Sequence, residues 1–315
     1  MNDKTHHVEI REVGLRDGLQ MVSSVLPTAK KLEWLEREAM AGVREMEVCS
    51  FVPPKLMPQF ADSAAVIAHA LSIPGLVVAA LIPNLKGAER GLELGVDKLN
   101  FVLSASEAHN QANLRRSTRD SVAEFGRVVE LVRAHGGNTQ ITCGISTAFG
   151  CTLQGDVDEA LVVDLARELV AMGADELTVA DTVGYGNPRA VRRVFEQVLK
   201  VAAAVPVAAH FHDTRGLGVA HALAALDVGV RHFDAALAGL GGCPHAPGAT
   251  GNVNTEDLVF LMESMGFGTG IDLGALLETR RFVESVLPGE AMFGALARAG
   301  LPRNFKQHTH HVAAA

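Results

Sequence analysis

Val205-Pro206-Val207-Ala208-Ala209-His210-Phe211-His212 is a short β-rich run that ends in two histidines, and its reading separates two architectures. Side chains two apart on a strand share a face, so His210 and His212 are expected to point the same way at the strand's C-terminal end. Outward from this run, similar stretches recur at 8–13, 45–50, 76–82, 98–103, 140–146, 176–180 and 232–237. Between them lie amphipathic helical patterns. One covers 117–134 with Val122, Phe125, Val128, Val129 and Val132 on one face, and another covers 156–172. Asn187-Pro188 reads as a helix cap followed by proline at the first helical position. Eight strands alternating with helices imply a parallel sheet, either a closed barrel or an open doubly wound sheet. No GxGxxG follows the first strand, and polar residues sit at the C-terminal ends of several strands. Both features favour a (β/α)8 TIM barrel. The barrel is expected over about 8–265, with a short helical extension over about 266–305 and mobile tails, as one domain.

Arg16 and Asp17 lie just past the first strand, inside Gly14-Leu-Arg-Asp-Gly18, where the flanking glycines suggest a tight turn. In an eight-strand ring only strand 8 separates strands 1 and 7, so Asp17 can approach the histidine pair. One carboxylate and two imidazoles suit a divalent cation. The alternatives are a surface Arg–Asp ion pair and two hydrogen-bonded histidines in a polar barrel mouth. Glu47, near the end of strand 2, either orients Arg16 or neutralises another basic group. Asp181, at the end of strand 6, is either a catalytic carboxylate or an acceptor for loop backbone. Residues Gly239 to Asn252 carry five glycines and Cys243, a loop suited to covering a site, with Asn252 as a further oxygen donor. Nothing around Cys243 marks its thiol as activated.

The 315 residues are 48% hydrophobic and 20% charged, ample for a large core. A formal charge of −8 and a pI near 5.9 argue against a nucleic-acid partner. The apolar runs are far shorter than the roughly 18 residues of a membrane-spanning helix, and a polar start lacking a signal-like stretch points to the cytoplasm. Four cysteines without CxxC spacing make no disulfide framework. Histidines cluster at both ends, and mobile tails are the expectation there.

The motifs taken together resemble the 3-hydroxy-3-methylglutaryl-CoA lyase family. The matching stretches are Gly14-Leu-Arg-Asp-Gly-Leu-Gln20, Glu47-Val-Cys-Ser-Phe-Val-Pro-Pro-Lys55 and Pro83-Asn-Leu-Lys-Gly87. Further on come Ala180-Asp-Thr-Val-Gly184, His210-Phe-His-Asp-Thr214 and the glycine loop with Gly251-Asn-Val-Asn-Thr-Glu-Asp-Leu258. The resemblance implies a TIM barrel that uses Mg²⁺ or Mn²⁺ to cleave a 3-hydroxyacyl-CoA thioester, and a homo-oligomer. It implies Asp17, His210, His212 and Asn252 as metal ligands, Arg16 at the thioester oxygen, Glu47 holding Arg16, and Cys243 on a closing loop. Asp17 or His210 would take the hydroxyl proton. The chain departs from the family's pattern at Gly144, where a tyrosine is expected, at Thr152 for a proline, and at Arg215 for a tyrosine. These departures bear on the acyl group. Besides the 3-hydroxy-3-methylglutaryl thioester, the open readings are a citramalyl-CoA-like substrate, a Claisen-type synthase and a non-catalytic metal- or CoA-binding barrel.

Overall fold

A computed structural model describes residues 6–242 and 251–307. Eight parallel strands close into a barrel in sequence order: β1 (Glu9–Glu12), β2 (Glu45–Ser50), β3 (Val77–Ile82), β4 (Lys98–Ser104), β5 (Gln140–Ser146), β6 (Glu176–Asp181), β7 (Val207–Phe211) and β8 (His232–Ala235). β8 pairs with β1, Glu12 lying opposite Ala235, and this closes the ring. The expected barrel is therefore the fold observed. Most strand ends agree to within one residue, and two differ by two residues for local reasons. β7 starts after Pro206, which has no N–H to give a ladder, and β8 stops at Ala235, where the chain enters a 3₁₀ turn over Leu237–Gly239.

The helices cover the outside. In α5 (Thr118–His135), Val122, Phe125, Val128, Val129 and Val132 are all buried, and Ser117 caps the start by accepting from the Asp120 N–H. In α7 (Pro188–Ala202), Asn187 accepts from the N–H groups of Arg189 and Ala190, with proline at the first helical position. No described helix is long and apolar enough to cross a membrane.

The lower barrel interior is polar. Arg11 of β1 pairs with Glu176 of β6 and, at 2.5 Å, with Asp234 of β8. Lys98 of β4 reaches Glu45 of β2 at 2.7 Å. All five side chains are buried, so their charges persist only because they are matched. This plug forms a floor, and the space above it is the barrel mouth.

The C-terminal segment is more than an appended extension. α9 (Thr255–Ser264) and α10 (Leu273–Val286) pack on the barrel, and the segment beyond them returns to the rim. There the Phe293 N–H donates to the Ala238 carbonyl at 2.8 Å, and the Phe293 carbonyl accepts from Asn254 Nδ2 at 2.9 Å.

Candidate active site and metal centre

Gly14–Gly18 forms one wide helical turn on top of β1, with the N–H groups of Arg16, Asp17 and Gly18 all donating to the Val13 carbonyl. The tight glycine turn expected there is thus a helical turn, and neither glycine has a left-handed φ. Gly14 is needed for close approach instead. A Cβ there would meet Glu12 Oε1 and the Trp34 ring, because the Gly14 N–H donates to that carboxylate at 2.7 Å. The turn projects Arg16 and Asp17 into the mouth.

His210 Nε2 and His212 Nε2 stand 3.2 Å apart, with Asp17 Oδ2 at 3.9 Å from the first and 3.8 Å from the second. These three groups are a cluster able to hold a metal ion, their ligand atoms lying within 4.8 Å of one another. Asn252 joins them through the backbone. A β-bridge sets it beside His212, and its Nδ2 donates to Asp17 Oδ2 at 2.7 Å. Gly241 and Gly251 permit this approach. A Cβ on the first would strike Asn252 Nδ2, and a Cβ on the second would strike the Gly239 carbonyl. Asn252 Oδ1 is buried without a protein partner, so an oxygen donor is left over beside one carboxylate and two imidazoles. That donor set fits a divalent cation.

The charges agree with this geometry. Burial pushes the Asp17 carboxyl up, but Arg16 and then the two histidines outweigh it and hold Asp17 below the usual carboxylate range. Burial pushes His210 down, and Asp234, whose Oδ2 lies 3.1 Å from His210 Nδ1, reverses this and raises it. Asp234 therefore orients the ring so that Nε2 faces the cluster. Arg16 is held on two sides, by Glu47 through Nε and by Asp17 at 2.7 Å through Nη1. Glu47 in turn accepts from Asn100 Nδ2 at 2.8 Å. Arg16, Asp17, Glu47, His210 and His212 all line a cavity of about 530 Å³ in the barrel mouth.

Asp181 does not join them. Its two carboxylate oxygens accept from the N–H groups of Tyr185 and Gly186, both at 2.9 Å, and it does not line the cavity. These contacts are those of the second of its two readings, an acceptor for loop backbone. Cys243 lies outside the described residues. Lys55 and Lys86 are exposed and line no part of the cavity, whereas Arg115 and Arg116 do. Asp234 and Asn100 were missed at the sequence level, because each is a polar residue in a strand with no motif around it. Their signal was inward parity: His210 lies opposite Asp234 in register, and Asn100 opposite Leu81.

The family model HMGL-like matches residues 7–283. The chain is 42% identical over 280 residues to the 3-hydroxy-3-isohexenylglutaryl-CoA/hydroxy-methylglutaryl-CoA lyase of Pseudomonas aeruginosa, covering 89% of this chain and 93% of the relative. It is 38% identical to the hydroxymethylglutaryl-CoA lyase YngG of Bacillus subtilis, covering 88% of this chain and 92% of the relative. Among solved structures, an HMG-CoA lyase from Acinetobacter baumannii in complex with coenzyme A and 3-methylmalate superposes with a TM-score of 0.91 at 40% identity. That match covers 97% of this chain and 99% of the other. With a family match across most of its length and relatives well above 30% identity, the chain belongs to the HMGL-like family.

Proposed function

We propose that the chain is a divalent-metal-dependent carbon–carbon lyase that cleaves 3-hydroxy-3-methylglutaryl-CoA into acetyl-CoA and acetoacetate. The observation that carries this reading is the meeting of Asp17, His210 and His212 beside an Arg16 clamped by Glu47. The names of the relatives and the coenzyme A in the Acinetobacter structure support the thioester class.

The reaction must remove the proton from a tertiary hydroxyl, break the bond between C2 and C3, and protonate C2. A divalent cation, Mg²⁺ or Mn²⁺, held by Asp17, His210, His212 and Asn252 would lower the pKa of that hydroxyl and orient it. Asp17 and His210 are the bases facing the cluster, and one of them takes the proton. As the C–C bond breaks, its electron pair moves onto the thioester as an enolate, and the Arg16 guanidinium stabilises the enolate oxygen. Glu47 and Asp17 fix Arg16 for this task, so it needs no rearrangement as charge develops. Cys243 is assigned delivery of the proton to C2 on the sequence alone. Arg115, exposed at the rim, is a cation placed for the phosphates of coenzyme A.

The test is product analysis after incubating purified protein with 3-hydroxy-3-methylglutaryl-CoA and Mg²⁺ or Mn²⁺. Equal amounts of acetyl-CoA and acetoacetate support the reading. Intact thioester at all times, with the metal bound, would remove it.

A further inference from the structure

β5 pairs with β4 along its whole length and with β6 from Thr142 to Ile145, and Gly144 lies opposite Val102 of β4 and Thr178 of β6. A glycine inside a strand is less stable there than alanine, so its presence needs a reason. The backbone supplies none, since Gly144 is absent from the glycines with a left-handed φ. Close packing supplies none either. A Cβ there would meet only the Phe101 carbonyl oxygen at 3.7 Å and Val102 Cγ2 at 3.8 Å, both ordinary contacts. What remains is the open side, because Gly144 lines the cavity. The missing side chain is room left for a ligand.

In the ring of eight, β5 stands four strands from β1, so Gly144 faces the turn of Arg16 and Asp17 across the mouth. The next step rests on the function proposed above. A substrate whose C3 oxygen lies at Asp17, His210 and His212 and whose thioester lies at Arg16 turns its other C3 substituents toward β4, β5 and β6. The cavity wall there is formed by Val102, Ser146, Thr178, Ala180 and Thr182 around Gly144. Among the described residues of the cavity, the guanidinium groups lie elsewhere: Arg16 on the turn after β1, and Arg115 and Arg116 after α4 (Glu107–Leu114). The Ser146, Thr178 and Thr182 hydroxyls can meet a carboxylate there, whereas the space left open by Gly144 lies beside Val102 and suits a hydrocarbon branch. Beneath it, Asn100 Oδ1 and Thr142 Oγ1 are buried without a protein partner. They suit ordered water and limit the depth available.

We propose that Gly144 is a specificity-determining residue, opening this wall to 3-hydroxy-3-alkylglutaryl thioesters whose C3 branch is longer than methyl. The test compares kcat/KM for the 3-methyl, 3-ethyl and 3-isobutyl substrates in the parent protein and in Gly144→Val. The parent is expected to cleave the branched series with similar kcat/KM. Gly144→Val is expected to shift the isobutyl-to-methyl ratio by about 30-fold toward methyl, the scale of one or two misplaced carbons in an apolar pocket. Binding of the matching 3-alkylglutaryl-CoA analogues, which lack the hydroxyl and are not cleaved, reads the same space without turnover. Their affinity ratio should shift in the same direction. A parent that cleaves or binds only the methyl compound, or a ratio unmoved by Gly144→Val, would overturn the proposal. Loss of turnover on every substrate while the analogues bind with the expected ratio would remove the lyase reading and leave the pocket assignment standing.

Discussion

In the proposed mechanism, Arg16 is the side chain that meets the developing enolate oxygen. Its guanidinium is planar and held from two directions by Glu47 and Asp17, so it meets a developing oxyanion already oriented. Arg16→Met is expected to lower kcat by about 10²- to 10³-fold while KM moves much less, measured by steady-state acetyl-CoA release. Arg16→Lys should not restore the rate, because a single ammonium cannot hold both carboxylates and the substrate oxygen. Asp234 acts through another residue. It fixes His210 from behind, and Asp234→Asn is expected to weaken Mn²⁺ binding about 10- to 100-fold in a direct titration. Unchanged affinity would show that His210 needs no such support. The histidine pair and Asp17 were legible in the sequence because strand parity and a short turn place them without long-range knowledge. Asp234 was not legible, because its role depends on the register between β7 and β8.

At the scale of elements, the turn after β1, the segment after β8 and α9 meet over two buried carboxyls. Glu12 accepts from the N–H groups of Gly14 and Leu237 and from the Thr255 hydroxyl. Glu256 accepts from the Ala238 N–H and pairs with Arg280 of α10 at 3.1 Å. Burial pushes Glu12 up to about 8 and Glu256 up to about 7, from an ordinary value of 4.5. Both folded values lie above the unfolded ones, so between about pH 4.5 and 8 the folded chain holds protons that the unfolded chain has lost. The stabilising contribution of these groups is therefore complete below about pH 4.5 and lost as pH rises through 7 to 8. Thermal unfolding is expected at a lower Tm at pH 8.5 than at pH 6, with the difference reduced in Glu256→Gln. An equal pH dependence in parent and variant would contradict this. None of it was legible in the sequence, where Glu12 and Glu256 stand among other acids and only the closed fold makes them neighbours.

At the scale of the whole molecule, the polar floor ties β1, β2, β4, β6 and β8 together through Arg11, Glu45, Lys98, Glu176 and Asp234. Arg11→Met leaves several buried acids short of a counter-charge, and denaturant titration should show a loss of about 3–5 kcal/mol. The barrel itself was readable, because eight β-rich runs alternate with helical ones at regular spacing. Two features hid the rest: the floor looks like ordinary scattered charge along the chain, and the C-terminal segment's return to the rim is set by packing rather than by periodicity. In the proposed function, Asp17, His210 and His212 hold one divalent cation on which cleavage depends. The most direct test is to strip the protein with EDTA, then follow Mn²⁺ binding and acetyl-CoA release from 3-hydroxy-3-methylglutaryl-CoA in one titration. Activity is expected to return in step with one Mn²⁺ per chain, and His212→Ala is expected to lose both. Full activity in the stripped protein, or activity restored in His212→Ala without Mn²⁺ binding, would contradict it.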